Sequence, residues 1–225
     1  MKTKLISENA VMFTFSDQDI TIEQLIAVRQ KLCQQPDLLE VINGYQTITV
    51  YFDRQNIHYD HIQTWIEEMI LNDKLPMAIG KLHHIPVCYE PDYAIDLQDL
   101  MTYHHLTAKE IIDLHTAPTY QIAFLGFSPG FPFLTGLDPK LYTPRKERPR
   151  TTVPKGAVGI AGHQTGIYPA SSPGGWQIIG QTPIDLLTID NPEQPTLLLP
   201  GDQLVFYPIS KEEFQNFNQK GAFSS

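Results

Sequence analysis

Residues 153–183 read VPKGAVGIAGHQTGIYPASSPGGWQIIGQTP. Glycine weakens a strand unless another backbone or a ligand must come close. Gly156, Gly159 and Gly162, set among Ala, Val and Ile, therefore ask for a β-run with a bulge or tight bend. The next seven residues, Gly162-His163-Gln164-Thr165-Gly166-Ile167-Tyr168, set two glycines among four side chains able to hydrogen-bond. Backbone N–H groups near glycines can form an anion-binding nest. That stretch reads as a polar binding loop, against the alternative of an internally bonded turn. Ser171-Ser172-Pro173-Gly174-Gly175-Trp176 is turn chemistry closing on a large aromatic. Trp176 as core and Trp176 as site wall both remain open.

Working outward, ten of the fourteen glycines fall between Gly126 and Gly180. Strand-like pieces at 119–125, 157–161, 176–180, 184–189, 196–199 and 203–208 are short and separated by Gly/Pro turns. That pattern predicts a barrel or sandwich. Upstream, AFLGFSPGFPFL (123–134) contains a G-x-S-x-G match centred on Ser128. A nucleophile elbow takes half its oxyanion hole from the N–H of the residue after the serine. Here that residue is Pro129, which has none. The stretch reads instead as a rigid loop presenting Phe127, Phe131 and Phe133, either as a pocket wall or as an interface with a partner.

The chain has 225 residues and a formal charge of −9. That charge argues against a nucleic-acid binder or a polybasic membrane protein. Yet Lys140, Arg145, Lys146, Arg148, Arg150 and Lys155 crowd one short segment. Arginine grips carboxylate or phosphate bidentately, so this segment beside the polar loop points to a carboxylate-binding cleft. No apolar run approaches the ~20 residues of a membrane span. MKTKLISENA lacks an apolar signal core. Cys33 and Cys88 form no C-x-x-C and read as free, buried thiols of a reducing compartment. The expectation is a cytoplasmic protein. His83-His84 and His104-His105 are adjacent pairs that a single metal rarely shares, so no metal site is expected. No P-loop is present.

Residues 1–80 read as a separate α/β domain and residues 81–225 as the barrel domain. Ala10–Phe15 and Thr47–Phe52 have strand character. Residues 21–34, and Ile62, Trp65, Ile66, Met69 and Ile70, show helical spacing. Two helices interleaved with short strands predict a ferredoxin-like unit, with Trp65 in its core. A strand at Leu82–Tyr89 and helical pieces at 96–102 and 107–115 follow, the second with a Thr107/Glu110 capping-box spacing. Lys211–Asn218 reads as a closing helix.

FLGFSPGFPFLTGLDPKL, then the PR–VPKGAVGIAGHQTGIYPASSPGGWQIIGQTP stretch, with IPVCY and HTAPTYQIAFLGF, resemble the signature of the allophanate hydrolase subunit 1 family. The family includes the B subunit of bacterial 5-oxoprolinase and the kinase A inhibitor protein. The resemblance covers most of the chain. It implies an α+β protein: a small ferredoxin-like α/β domain, then a cyclophilin-like β-barrel of carboxyltransferase type. It implies one part of a hydrolase, inactive alone, that joins the C subunit (allophanate hydrolase subunit 2-like) and the A subunit of 5-oxoprolinase. That assembly opens 5-oxoproline to L-glutamate with ATP, which this chain does not itself hold. Regulation of a sensor histidine kinase and a carboxyltransferase role in urea metabolism are the alternatives. The motif carries over as substrate-binding residues Arg150, Gly162, Gln164, Thr165, Gly166, Tyr168, Ser172, Gly174 and Gly175, with Trp176 beside the three phenylalanines as pocket or partner wall. No catalytic residue is assigned. Glu90-Pro91-Asp92 replaces a Gly-rich turn common in the family.

Overall fold

A computed structural model of the chain describes residues 1–16, 18–71, 80–188, 191 and 195–222. The chain divides into two compact units, Met1–Ile79 and Gly80–Ser225.

The first unit runs β1 (Lys2–Ser7), β2 (Ala10–Thr14), helix α1 (Ile22–Leu32), β3 (Leu38–Asn43), β4 (Thr47–Phe52) and helix α2 (Tyr59–Leu71). Thr21 opens α1 with a full capping box to Gln24, which satisfies two otherwise orphaned N–H groups. Ile48, Val50 and Phe52 of β4 turn inward while Thr47, Thr49 and Tyr51 stay half-exposed, the period of two that the sequence demands. The helices cover this apolar face, and Trp65 packs against its core half-buried. The sheet is antiparallel in the order β1-β2-β4-β3. A ferredoxin-like unit runs βαββαβ. Here β2-α1-β3-β4-α2 supplies the split βαβ core, but the strand beside β2 comes from the N-terminus, so the order is ββαββα. Every residue of β1 is exposed, and without apolar alternation it carries no strand signal. Cys33 is exposed rather than buried, because it caps the end of α1.

The second unit contains β5 (Leu82–Cys88), α3 (Leu97–His104), α4 (Ala108–Thr116), β6 (Tyr120–Leu125), β7 (Pro132–Thr135), a 3-10 turn (Pro139–Leu141), β8 (Arg150–Val153), β9 (Ala157–Ala161), β10 (Gln164–Ile167), β11 (Ser172–Gly174), β12 (Gln177–Gln181), β13 (Gln203–Ile209) and α5 (Lys211–Ala222). Seven strands close a barrel in the order β10-β7-β6-β13-β5-β12-β9, and β11 and β8 form a separate ribbon. β5 and β13 pair in parallel over their whole length. The capping box of Thr107 and Glu110 is present at the start of α4. The expected strand at 184–189 reduces to an isolated bridge between Leu187 and Thr196. Residue 189 lies outside the described residues. The bridge also takes up the expected strand at 196–199.

Strand β9 shows how the barrel wall serves two cores. Val158 and Ile160 point into the barrel beside Ile85, Val87, Tyr120, Ile122 and Phe206. Ala157 and Ala161 point the other way, into a smaller cluster with Phe131, Tyr168, Trp176 and Ile178. Gly159 lies between those alanines. A Cβ there would meet the Trp176 Cβ at 3.1 Å. The small side chains on the outer face of β9 therefore make room for Trp176 and Ile178.

Candidate functional site

That outer cluster is the floor of a pocket of about 310 Å3, lined by Phe127, Phe131, Phe133, Arg145, Lys146, Pro149, Tyr168, Pro173, Gly174, Gly175 and Trp176. The volume lies at the small end of the roughly 300–1,000 Å3 range of small-molecule sites. Phe131 is the hub of its rings. It meets Trp176 at 5.2 Å and Tyr168 at 5.1 Å, both edge to face, and Phe133 at 5.0 Å. These are the separations at which aromatic pairs attract beyond simple area burial.

The Phe-bearing loop joins β6 to β7. Gly126 N–H donates to the Phe131 carbonyl and Phe131 N–H to the Ser128 carbonyl. The tight connection places Phe127 at φ 66° with its ring 68% exposed at the pocket mouth. A bulky residue in left-handed backbone is a strained position that surrounding structure must hold. No helix begins at Ser128, and its hydroxyl meets no histidine among the described residues. The G-x-S-x-G match is a hairpin connection.

The charges are arranged in two layers. Asp96, 1% exposed at the start of α3, accepts from Lys146 Nζ at 2.7 Å, from Arg150 Nη2, and from the Ile178 N–H at 2.7 Å. Burial pushes this carboxyl up. The Arg150, Lys146 and Ile178 hydrogen bonds outweigh that and hold it below the usual carboxylate range. The buried carboxylate thereby fixes the basic segment against β12. Lys146 also reaches Gln177 Oε1 at 3.3 Å. Arg145 is exposed on the pocket rim and makes no ion pair among the described residues. Of the two cations that line the pocket, it is the one without an ion pair among the described residues. Burial raises the Tyr168 phenol above its ordinary value, and the Trp176 backbone N–H and the charges of Arg145 and Arg150 offset only part of that rise.

The expected residues fall in distinct places. Phe127, Phe131, Phe133, Tyr168, Gly174, Gly175 and Trp176 line the pocket together. Arg150 does not line it; its Nη2 is bonded to Asp96, while Nη1 is buried without a partner among the described residues. Ser172 lies on β11 with its hydroxyl also buried and, among the described residues, unpartnered. Gly162 and His163 form the turn of the β9–β10 hairpin, and Gly162 exchanges both backbone hydrogen bonds with Thr143. Gln164 starts β10 half-exposed. Thr165 is fully buried between His115 and the Gly159 carbonyl. Gly166 packs beneath Phe131, where a Cβ would come within 3.0 Å of the ring. The stretch expected to be a polar loop is thus mostly strand β10. The sequence does not mark Asp96, since nothing local to it signals partners some fifty residues away. Among the described residues no group of three His, Cys, Asp or Glu side chains is placed to hold a metal, and no helix is long and apolar enough to cross a membrane.

The carboxyltransferase domain, subdomain C and D, matches residues 1–198. A protein of Haemophilus influenzae, named as the B subunit of 5-oxoprolinase, is 40% identical over 203 residues, covering 89% of this chain and 94% of that protein. The protein of the same name from Bacillus subtilis is 36% identical over 197 residues, covering 82% and 81%. Among solved structures, the crystal structure of TTHA0988 is 31% identical with a TM-score of 0.75, and the match takes in 89% of this chain but only 40% of that longer one.

Proposed function

The chain belongs to the carboxyltransferase domain family, subdomain C and D, and on that premise we propose that it is the B subunit of an ATP-dependent 5-oxoprolinase. In this reading residues 81–225 form the carboxyltransferase-type barrel domain, cyclophilin-like in architecture, and residues 1–80 a separate α/β domain. The observation that carries the reading is the ring-walled pocket with Arg145 unpaired on its rim. 5-Oxoproline is a flat five-membered lactam bearing one carboxylate. Phe127, Phe131 and Trp176 offer faces and edges to the ring. Arg145 takes the carboxylate in its planar fork. Gly174 keeps the back wall low, so that the Tyr168 hydroxyl reaches the lactam group, and Gly175 lies beside it in the lining. Arg150, Gln164, Thr165, Gly166 and Ser172 shape the wall from behind.

An unstrained lactam resists hydrolysis, and ATP supplies the drive through a phosphorylated intermediate. The sequence has no P-loop, which supports placing ATP on a partner chain. The partners are the A and C subunits, and the chain works only within that assembly. The test is reconstitution: mix the chain with both partners, add 5-oxoproline and ATP, and measure L-glutamate. Glutamate that depends on all three proteins supports the reading. None from an assembled complex rejects it.

A further inference from the structure

Tyr168 is a buried residue of the pocket whose hydrogen bonding is incomplete among the described residues. Its ring is 1% exposed, yet it belongs to the pocket lining. The backbone N–H of Trp176 faces its oxygen. Among the described residues no acceptor takes its own proton. A buried hydroxyl normally satisfies both roles, so this proton is aimed at whatever occupies the pocket. The surroundings hold the group in place. A Cβ at residue 174 would lie 2.3 Å from the hydroxyl oxygen, so only glycine leaves it seated. The ring packs edge to face on Phe131 at 5.1 Å. Two guanidinium groups, Arg145 and Arg150, are close enough to act on its charge, and Arg150 is anchored by the buried Asp96. Burial outweighs these charges and holds the phenol above its ordinary value, so the hydroxyl keeps its proton until a strong base forms beside it, as an amide nitrogen does when its bond to carbon breaks.

We propose that Tyr168 is a catalytic proton donor, delivering its phenolic proton to the lactam nitrogen as the ring opens. This rests on reading the chain as part of a 5-oxoprolinase. Water adds to the lactam carbon once its oxygen carries the phosphoryl group from ATP. The resulting tetrahedral carbon has two exits. Expelling phosphate restores the lactam and wastes the ATP. Opening the ring breaks the carbon–nitrogen bond, with the bonding pair passing to nitrogen, and an amide nitrogen leaves only if it is protonated. Tyr168 gives that proton. The hydroxyl on the tetrahedral carbon becomes the carbonyl of an acyl phosphate and returns its proton to the phenolate. Water then cleaves the acyl phosphate to glutamate and phosphate, and Tyr168 ends as it began. In this scheme the phenol selects the productive exit.

The experiment is the ratio of phosphate to glutamate released by the reconstituted three-protein complex, wild type against Tyr168→Phe, with KM for 5-oxoproline taken alongside. The phenylalanine keeps the ring that packs on Phe131. Glutamate formation is expected to fall about a hundredfold, phosphate release by much less, and KM to change little, so the ratio rises steeply. An unchanged ratio, at whatever rate, overturns the proposal, because a packing role slows both products together. A wild-type complex that makes no glutamate overturns the reading beneath it and the proposal with it.

Discussion

At Gly174 an added methyl group would sit 2.3 Å from the Tyr168 hydroxyl and 2.8 Å from its ring, whereas at Gly175 the nearest atom is 3.5 Å away. The two neighbours therefore separate packing from function. Gly174→Ala forces Tyr168 aside, and overpacking of this kind costs about 1–3 kcal/mol. Thermal melting will register that loss, and KM for 5-oxoproline in the complex will rise, while Gly175→Ala leaves both close to wild type. His115 sets a second expectation. Its Nδ1 lies 2.8 Å from the Tyr89 hydroxyl and its Nε2 3.1 Å from Thr165 Oγ1, and Thr165 in turn donates to the Gly159 carbonyl. Because the threonine proton is committed to Gly159, the Nε2–H donates to Thr165 and the Tyr89 O–H donates to Nδ1. The ring is neutral, and burial lowers its pKa from 6.5 to about 3. The unfolded chain takes up this proton as pH falls below 6.5 and the native chain does not until about 3. Stability from this group is therefore complete above the unfolded value and is lost as pH falls. By pH 5 the loss is about 2 kcal/mol. Urea unfolding at pH 7 and pH 5 measures it, and a Thr165→Val chain, which breaks the relay, starts from a lower stability at both.

Strand β9 puts residue packing to use as an element. Ala157, Gly159 and Ala161 face outward in step, and Trp176 lies over them. Gly159→Val drives a branched side chain against the Trp176 Cβ and the Ile178 Cδ1, each 3.1 Å from an added Cβ, and tilts the pocket wall. Trp176 emission is expected to shift and the pocket to lose ligand affinity, while α4 and the barrel interior stay intact by circular dichroism. The elements with strong local signals were legible. Helix α4 announces itself by a threonine three residues before Glu110, helix α1 by apolar residues at helical spacing, and β4 by strict alternation. Strand β10 was not, because Gly-His-Gln-Thr-Gly spells a turn. Only the barrel's need for a partner to β9 and β7 makes it a strand. Strands β7, β8 and β11 are three or four residues long and two contain proline, too little to reveal a period. The aromatic side of the pocket could be read from Phe127, Phe131 and Phe133 crowding one short loop. The separation of Arg145 from Arg150 could not, since it depends on Asp96 reaching from α3.

At the scale of the molecule, each compact unit carries its own core. Val11, Phe13, Ile48, Ile62 and Ile66 belong to one, and the barrel and pocket clusters to the other. A fragment of residues 80–225 is therefore expected to unfold in one cooperative transition on its own. A fragment with no melting transition would show that the barrel depends on the first unit. The acidic chain, formally −9, nonetheless offers its ligand a cation, because Lys146 and Arg150 are held by Asp96 while Arg145 is left to the pocket. That division of charge is the core of the functional account, and KM for 5-oxoproline in the reconstituted three-protein complex tests it most directly. Arg145→Gln is expected to raise KM about tenfold or more, the weight of one charge-assisted contact. A KM equal to wild type would place the substrate elsewhere and contradict the account.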